Sequence, residues 1–84
     1  MEEKLIGRVT HYFGKPSVGI IELEDTLKVG DTVHIKGAHD DFTQKVKSMQ
    51  IEHENIEQAG PGDVVGIKVT SRVHEHDKVF KVSE

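Results

Sequence analysis

The residues with the clearest capacity for chemistry are His74-Glu75-His76-Asp77. On an extended strand alternate side chains share a face, so His74 and His76 would project together and Asp77 would add an oxygen. A closed metal site needs a third or fourth ligand. His11, His34, His39 and His53 are scattered over separate segments. The run therefore reads first as an exposed polar edge or loop, with His74 and His76 kept only as a weak pair. No metal and no cofactor is assigned. The six histidines do make the net charge sensitive to acid below about pH 6.5.

Gly14-Lys15-Pro16-Ser17 has some of the residues of a phosphate loop. That loop needs a glycine five residues before its second glycine, and a hydroxyl directly after the lysine. Here those positions hold Val9 and Pro16, so the segment reads as a hairpin turn. Glu22 and Glu24 share a strand face and Asp40-Asp41 lie in a loop, which is the pattern of a solvated surface. Ser17, Ser48, Ser71 and Ser83 stand in no nucleophile-elbow context. Nothing in these residues reads as an enzyme.

Binding to nucleic acid needs cations for phosphates and aromatic faces for bases. Lys45 and Lys47 share a strand face, Lys36 is expected on a neighbouring strand, and Tyr12-Phe13 stand beside Lys15 at a loop. Only four aromatics exist, and Phe42 and Phe80 are assigned to the core. The competing reading is a solvated lysine face that discourages strand-edge pairing.

The composition sets the frame for these side chains. Eighty-four residues leave room for one domain, 1–84, with 35% apolar residues and a formal net charge of −4. That charge argues against a general polyanion binder while leaving room for a local basic patch. Cysteine is absent, which excludes disulfides and thiolate chemistry. No apolar run approaches the roughly 20 residues of a membrane helix. The acidic start, Met1-Glu2-Glu3-Lys4, is unlike a signal peptide, so a soluble cytoplasmic protein is expected. With 11 Val and 7 Ile against 3 Leu and 2 Ala, the apolar residues suit a pleated sheet.

Six strands are expected: 4–13, 18–24, 32–36, 42–53, 64–70 and 77–82. The first alternates Leu5, Gly7 and Val9 against Ile6, Arg8 and Thr10, and the second is apolar on both faces. In the fourth, Phe42 and Val46 share one parity while Met49 and Ile51 share the other, which demands a bulge or bend near Lys47-Ser48. Residues 54–59 read as loop, with room for one helical turn. Gly60-Pro61-Gly62-Asp63 predicts a type II turn with positive φ at Gly62. Short strands without intervening helices point to a small all-β barrel or sandwich.

The order of motifs resembles the second-domain β-barrel of translational GTPases, as in elongation factor Tu, and the accessory barrels of collagenase-like peptidases. The resemblance rests on Val18-Gly19-Ile20-Ile21-Glu22-Leu23, Leu27-Lys28-Val29-Gly30-Asp31 and Val33-His34-Ile35-Lys36-Gly37. It continues through Val46 to Ile51, Glu57 to Ile67, and Asp77-Lys78-Val79-Phe80, where His76 stands in place of the usual glycine. It implies a six-stranded, or slightly augmented, antiparallel Greek-key-like closed barrel. It also implies a pocket that in elongation factor Tu holds the aminoacylated end of tRNA. Gln50, Glu52, Val64, Gly66 and Lys68 fall at pocket positions: Gly66 matches that family and Glu52 falls where it has a polar contact residue, while Gln50, Val64 and Lys68 depart from it. No GTPase domain is expected in this chain.

The expected function is therefore a non-catalytic module that binds RNA (tRNA or rRNA) or a ribonucleoprotein through Gln50, Glu52, Gly66, Lys68, Lys45 and Lys47. The alternative is a protein–protein module, a stand-alone partner barrel for a GTPase or a collagenase-like peptidase.

Overall fold

The computed structural model describes residues 2–83. Ten strands follow one another: β1 (Glu2–Phe13), β2 (Val18–Leu23), β3 (Leu27–Lys28), β4 (Thr32–Lys36) and β5 (Asp41–Lys45), then β6 (Met49–Ile51), β7 (Glu54–Ile56), β8 (Gln58–Ala59), β9 (Val64–Lys68) and β10 (Lys78–Ser83). Among the described residues there is no helix, and hence none long and apolar enough to cross a membrane. Eight strands form one antiparallel sheet in the order β5-β4-β10-β1-β2-β9-β6-β7, while β3 and β8 pair separately.

The all-β expectation holds, and the closed six-stranded barrel is corrected. Among the described residues no ladder joins the edge strands β5 and β7, so the sheet is not closed by hydrogen bonds. It curls instead, and one side chain spans the seam. Gln44 on β5 donates from Nε2 to the Lys68 carbonyl at 2.8 Å and accepts the Thr70 N–H at 2.8 Å through Oε1. That explains a glutamine only 9% exposed between Phe42 and Val46, at a position where alternation alone asks for an apolar residue.

The phase change in the fourth expected strand takes the form of a break. Val46-Lys47-Ser48 lies outside any strand, and both Val46 and Met49 turn inward. The Gly60–Asp63 turn is present, with φ of 88° at Gly62 and Asp63 N–H donating to the Gly60 carbonyl. Residues 54–59 are corrected from loop to β7 and β8, since two- and three-residue strands are too short to show periodicity. In β1 the simple alternation fails because the register slips between Leu5 and Gly7. Ile6 is fully buried and Leu5 is exposed. Ile6, Ile21, Ile35, Val33, Val65, Ile67 and Val79 meet inside the curl in one apolar cluster.

Charge also ties β5 and β4 to β1, reaching across the intervening β10. His34 on β4 places Nδ1 2.9 Å from Glu3 Oε1 on β1 and Nε2 2.5 Å from Asp41 Oδ1 on β5. Both ring nitrogens face acceptors, an arrangement complete only when the ring is protonated. The bonds to Asp41 and then to Glu3 raise the His34 pKa above 6.5 against the opposing effect of burial. Because the folded value is the higher one, the stabilisation is whole below pH 6.5 and is lost as pH rises through the folded pKa. Thermal denaturation should therefore show a fall in Tm on the alkaline side of pH 6.5 that is absent in His34→Gln.

Candidate binding groove

On the outer face of β2, β9 and β6 the sheet carries a groove of about 840 Å³. Its cause is local. Cross-strand register aligns Ile20 on β2, Gly66 on β9 and Gln50 on β6 in one row. Gly66 at the middle has no side chain, so the floor dips between Ile20 and Gln50. A Cβ there would lie 3.1 Å from Val18 Cγ1 and 3.4 Å from Ile20 Cδ1, tight enough to fill the dip. Val18 and Ile20 supply apolar floor, and Phe13 and Val64, each 49% exposed, form apolar walls.

The far wall is a hairpin arm. Gln50 Nε2 donates to Asn55 Oδ1 across the β6–β7 pair at 2.9 Å, which fixes both side chains. The two-residue connection is Glu52-His53, with φ of 50° and 67°. A turn with two positive φ angles belongs to Asn and Gly, and side chains such as these are strained in it. Both residues line the groove mouth. Replacing them together, Glu52→Asn with His53→Gly, should raise stability by about 1 kcal/mol in urea denaturation by relieving the left-handed strain. The same change removes both side chains from the groove.

Of the residues expected to bind, Gln50, Glu52 and Gly66 line this groove, while Lys45, Lys47 and Lys68 do not. The carbonyls of Lys45 and Lys68 converge on the Gln44 amide, so these two lysines lie at the seam of the curl. Lys36 pairs with Asp41 while Lys45 pairs with Thr32, so Lys36 and Lys45 stand at opposite ends of the β4–β5 ladder. Val18, Ile20 and His53 were not picked out as site residues from the sequence, and Phe13 was picked out only as an aromatic beside Lys15. The signal for Val18 and Ile20 is the apolar character of β2 on both parities, which the structure resolves into an inner core face and an outer groove face.

The two histidines behave differently from the strand reading. His74 and His76 lie in a turn, closed by the Asp77 N–H donating to the His74 carbonyl at 3.2 Å, so they do not share a strand face. His76 has φ of 75°, a glycine-favouring conformation, which accounts for the glycine usual there in the resembling families. His74 instead places Nδ1 2.6 Å from Asp40 Oδ2. Asp40 and Asp77 also lie side by side. Burial and then the hydrogen bond with Asp40 raise the Asp77 pKa. Burial pushes Asp40 upward too, but its bonds with Asp77 and His74 outweigh this and leave its pKa lowered.

Known proteins place this geometry in context. No protein-family model matches the chain. It is 44% identical over 80 residues to an uncharacterized protease of Methanocaldococcus jannaschii, covering 94% of this chain and 20% of that protein. It is 28% identical over 82 residues to a collagenase of Porphyromonas gingivalis, covering 95% of this chain and 23% of the collagenase. The chain thus spans about a fifth of the curated relatives it matches. A solved structure of the C-terminal domain of a Geobacillus thermoleovorans protein assigned to the U32 peptidases has the same fold. Its TM-score is 0.89 at 20% identity, covering 95% of this chain and 93% of that one. These relatives are described as protease, collagenase and peptidase, so the collagenase-like half of the resemblance holds, and the translation-factor half is not carried forward.

Proposed function

We propose that this chain is a non-catalytic, protein-binding accessory module of a collagenase-like peptidase, and that the outer groove is its binding face. The observation that supports this most is an apolar, solvent-open trough built where an antiparallel sheet ordinarily presents polar side chains. Its floor is Val18, Ile20 and Gly66, its walls Phe13 and Val64, and carboxylates of Glu52 and Asp63 stand among its lining. Such a surface suits an apolar segment of a peptidase flanked by basic residues. Gln50, held by Asn55, offers a fixed hydrogen-bonding amide at the centre.

The test uses the Methanocaldococcus jannaschii protease with its homologous segment deleted, titrated with this chain by calorimetry. Binding is expected, and Gly66→Arg should weaken it by about tenfold or more, or about 1.4 kcal/mol, because the side chain fills the trough. The Glu52→Asn, His53→Gly variant should also bind more weakly while being the more stable protein. No binding, or binding indifferent to Gly66→Arg, defeats the reading. Tight association with tRNA that collapses between 50 and 300 mM salt would replace it with an RNA-binding role, since phosphate contacts release counterions.

A further inference from the structure

We propose that Asp40, His74 and Asp77 form a binding site for a borderline divalent transition-metal ion of the zinc type, with His39 as the fourth ligand. The site is separate from the groove and does not depend on the role given to it.

Three features of the fold carry this. First, the donor atoms converge from two distant loops. Asp40 lies between β4 and β5, His74 and Asp77 lie between β9 and β10, and one ligand atom from each falls within 4.8 Å of the other two. The set is a nitrogen and two oxygens, and imidazole selects zinc-like ions over calcium and magnesium, which prefer oxygen throughout. His39, the neighbour of Asp40, has its ring centroid 5.5 Å from that of His74, near enough to complete four-coordination after a side-chain rotation.

Second, the donors are held before any ion arrives. The Asp77 carbonyl accepts the Val9 N–H at 2.8 Å, and Asp77 Oδ2 accepts the His74 N–H at 2.9 Å. The Gly37 N–H donates to the Asp40 carbonyl at 2.7 Å, closing the other loop. Gly37 is required here, because a Cβ would overlap Asp77 Oδ1.

Third, two carboxylates are buried together and, among the described residues, no cationic side chain other than the histidine is paired to them. Asp77 is 3% exposed and the Asp40 side chain 9%. Two like charges placed side by side out of water repel one another, and a cation between them relieves that repulsion. A divalent ion at this point neutralises both carboxylates and exchanges the Asp40–His74 hydrogen bond for two ligand bonds. Its consequence is a clip between the β4–β5 and β9–β10 loops.

The test titrates the full chain with Co²⁺ and with Zn²⁺, following visible d–d absorption for the first and imidazole NMR signals for the second. One equivalent of Co²⁺ should give tetrahedral-type bands. Zn²⁺ should move the His74 and His39 signals and leave His11 and His53 in place, and should raise Tm in a concentration-dependent way. His74→Gln should abolish the bands, Asp40→Asn should weaken binding at least tenfold, and a His11→Gln, His53→Gln variant should bind as the parent does. Should Asp77→Asn fail to fold, the His74 and Asp40 variants carry the test, since neither residue's backbone ties into β1. Absence of the bands, equal affinity in His74→Gln, or shifts spread evenly over the exposed histidines would overturn the site.

Discussion

Gln44→Leu is expected to lower folding stability by about 2–4 kcal/mol in urea denaturation, although the side chain keeps its volume. The loss comes from what the amide leaves behind. The Lys68 carbonyl and the Thr70 N–H both bond to Gln44, and the Thr70 hydroxyl approaches Oε1 at 3.3 Å. These backbone groups sit at the seam where the curled sheet has no ladder, so no neighbouring strand can take over. An unpaired, partly buried backbone group costs about 1–3 kcal/mol. Hydrogen exchange gives the local reading, since the Thr70 amide should lose protection in the variant while amides of the β1–β2 ladder change only with global stability. An unchanged midpoint would mean that the seam is held by the apolar contacts of Val46 and Val69 alone.

Ile21→Ala is expected to cost about 2–5 kcal/mol, while Ile20→Ala, one residue earlier, should cost well under half of that. Ile21 is fully buried on the inner face of β2, opposite Val9 and Val65. Removing its methyl groups leaves a cavity among immobile neighbours. Ile20 points outward to the groove beside Gly66 and is only half-buried, so water fills the space it vacates. In a domain of this size, whose whole stability is on the order of 5–10 kcal/mol, the inner substitution takes a large share of the total. The outer one should instead weaken binding of the partner proposed for the groove. Paired denaturation curves and calorimetric titrations would check both halves, and equal stability losses would show that the two faces are packed alike.

The same pair of residues marks how much was legible in the sequence. Alternation and turn chemistry located β1, β2, β4, β9 and β10, and the conflict of parity between Val46 and Met49 located the break between β5 and β6. These are local signals, because a strand has a period of two whatever surrounds it. The apolar residues on both parities of β2 were also visible, but their two meanings were not. One face meets the core and the other meets solvent in a trough, and only the arrangement of β9 and β6 alongside decides which is which. Strands β3, β7 and β8 escaped because two or three residues carry no period.

The site residues divide in the same way. Gln50, Glu52 and Gly66 came from the order of motifs, and register brings them together at one groove. The lysines were grouped by strand parity alone, and parity does not say how far apart two strands lie along their ladder. His74 and His76 were paired on the assumption of a strand. The turn at His76 breaks that pairing and delivers His74 to Asp40, 34 residues earlier in the chain.

By itself, then, the sequence determined an all-β chain rich in β-branched residues, the positions of its longer strands and turns, and the lack of thiol chemistry. Propensity, side-chain period and turn geometry act within a few residues, so they can be read without the rest of the molecule. Tertiary structure decided the open curl with its glutamine seam, the exposed apolar trough, and the meeting of Asp40 with His74 and Asp77. Each of these depends on which distant strands become neighbours and in what register, and that choice is made by the whole core at once.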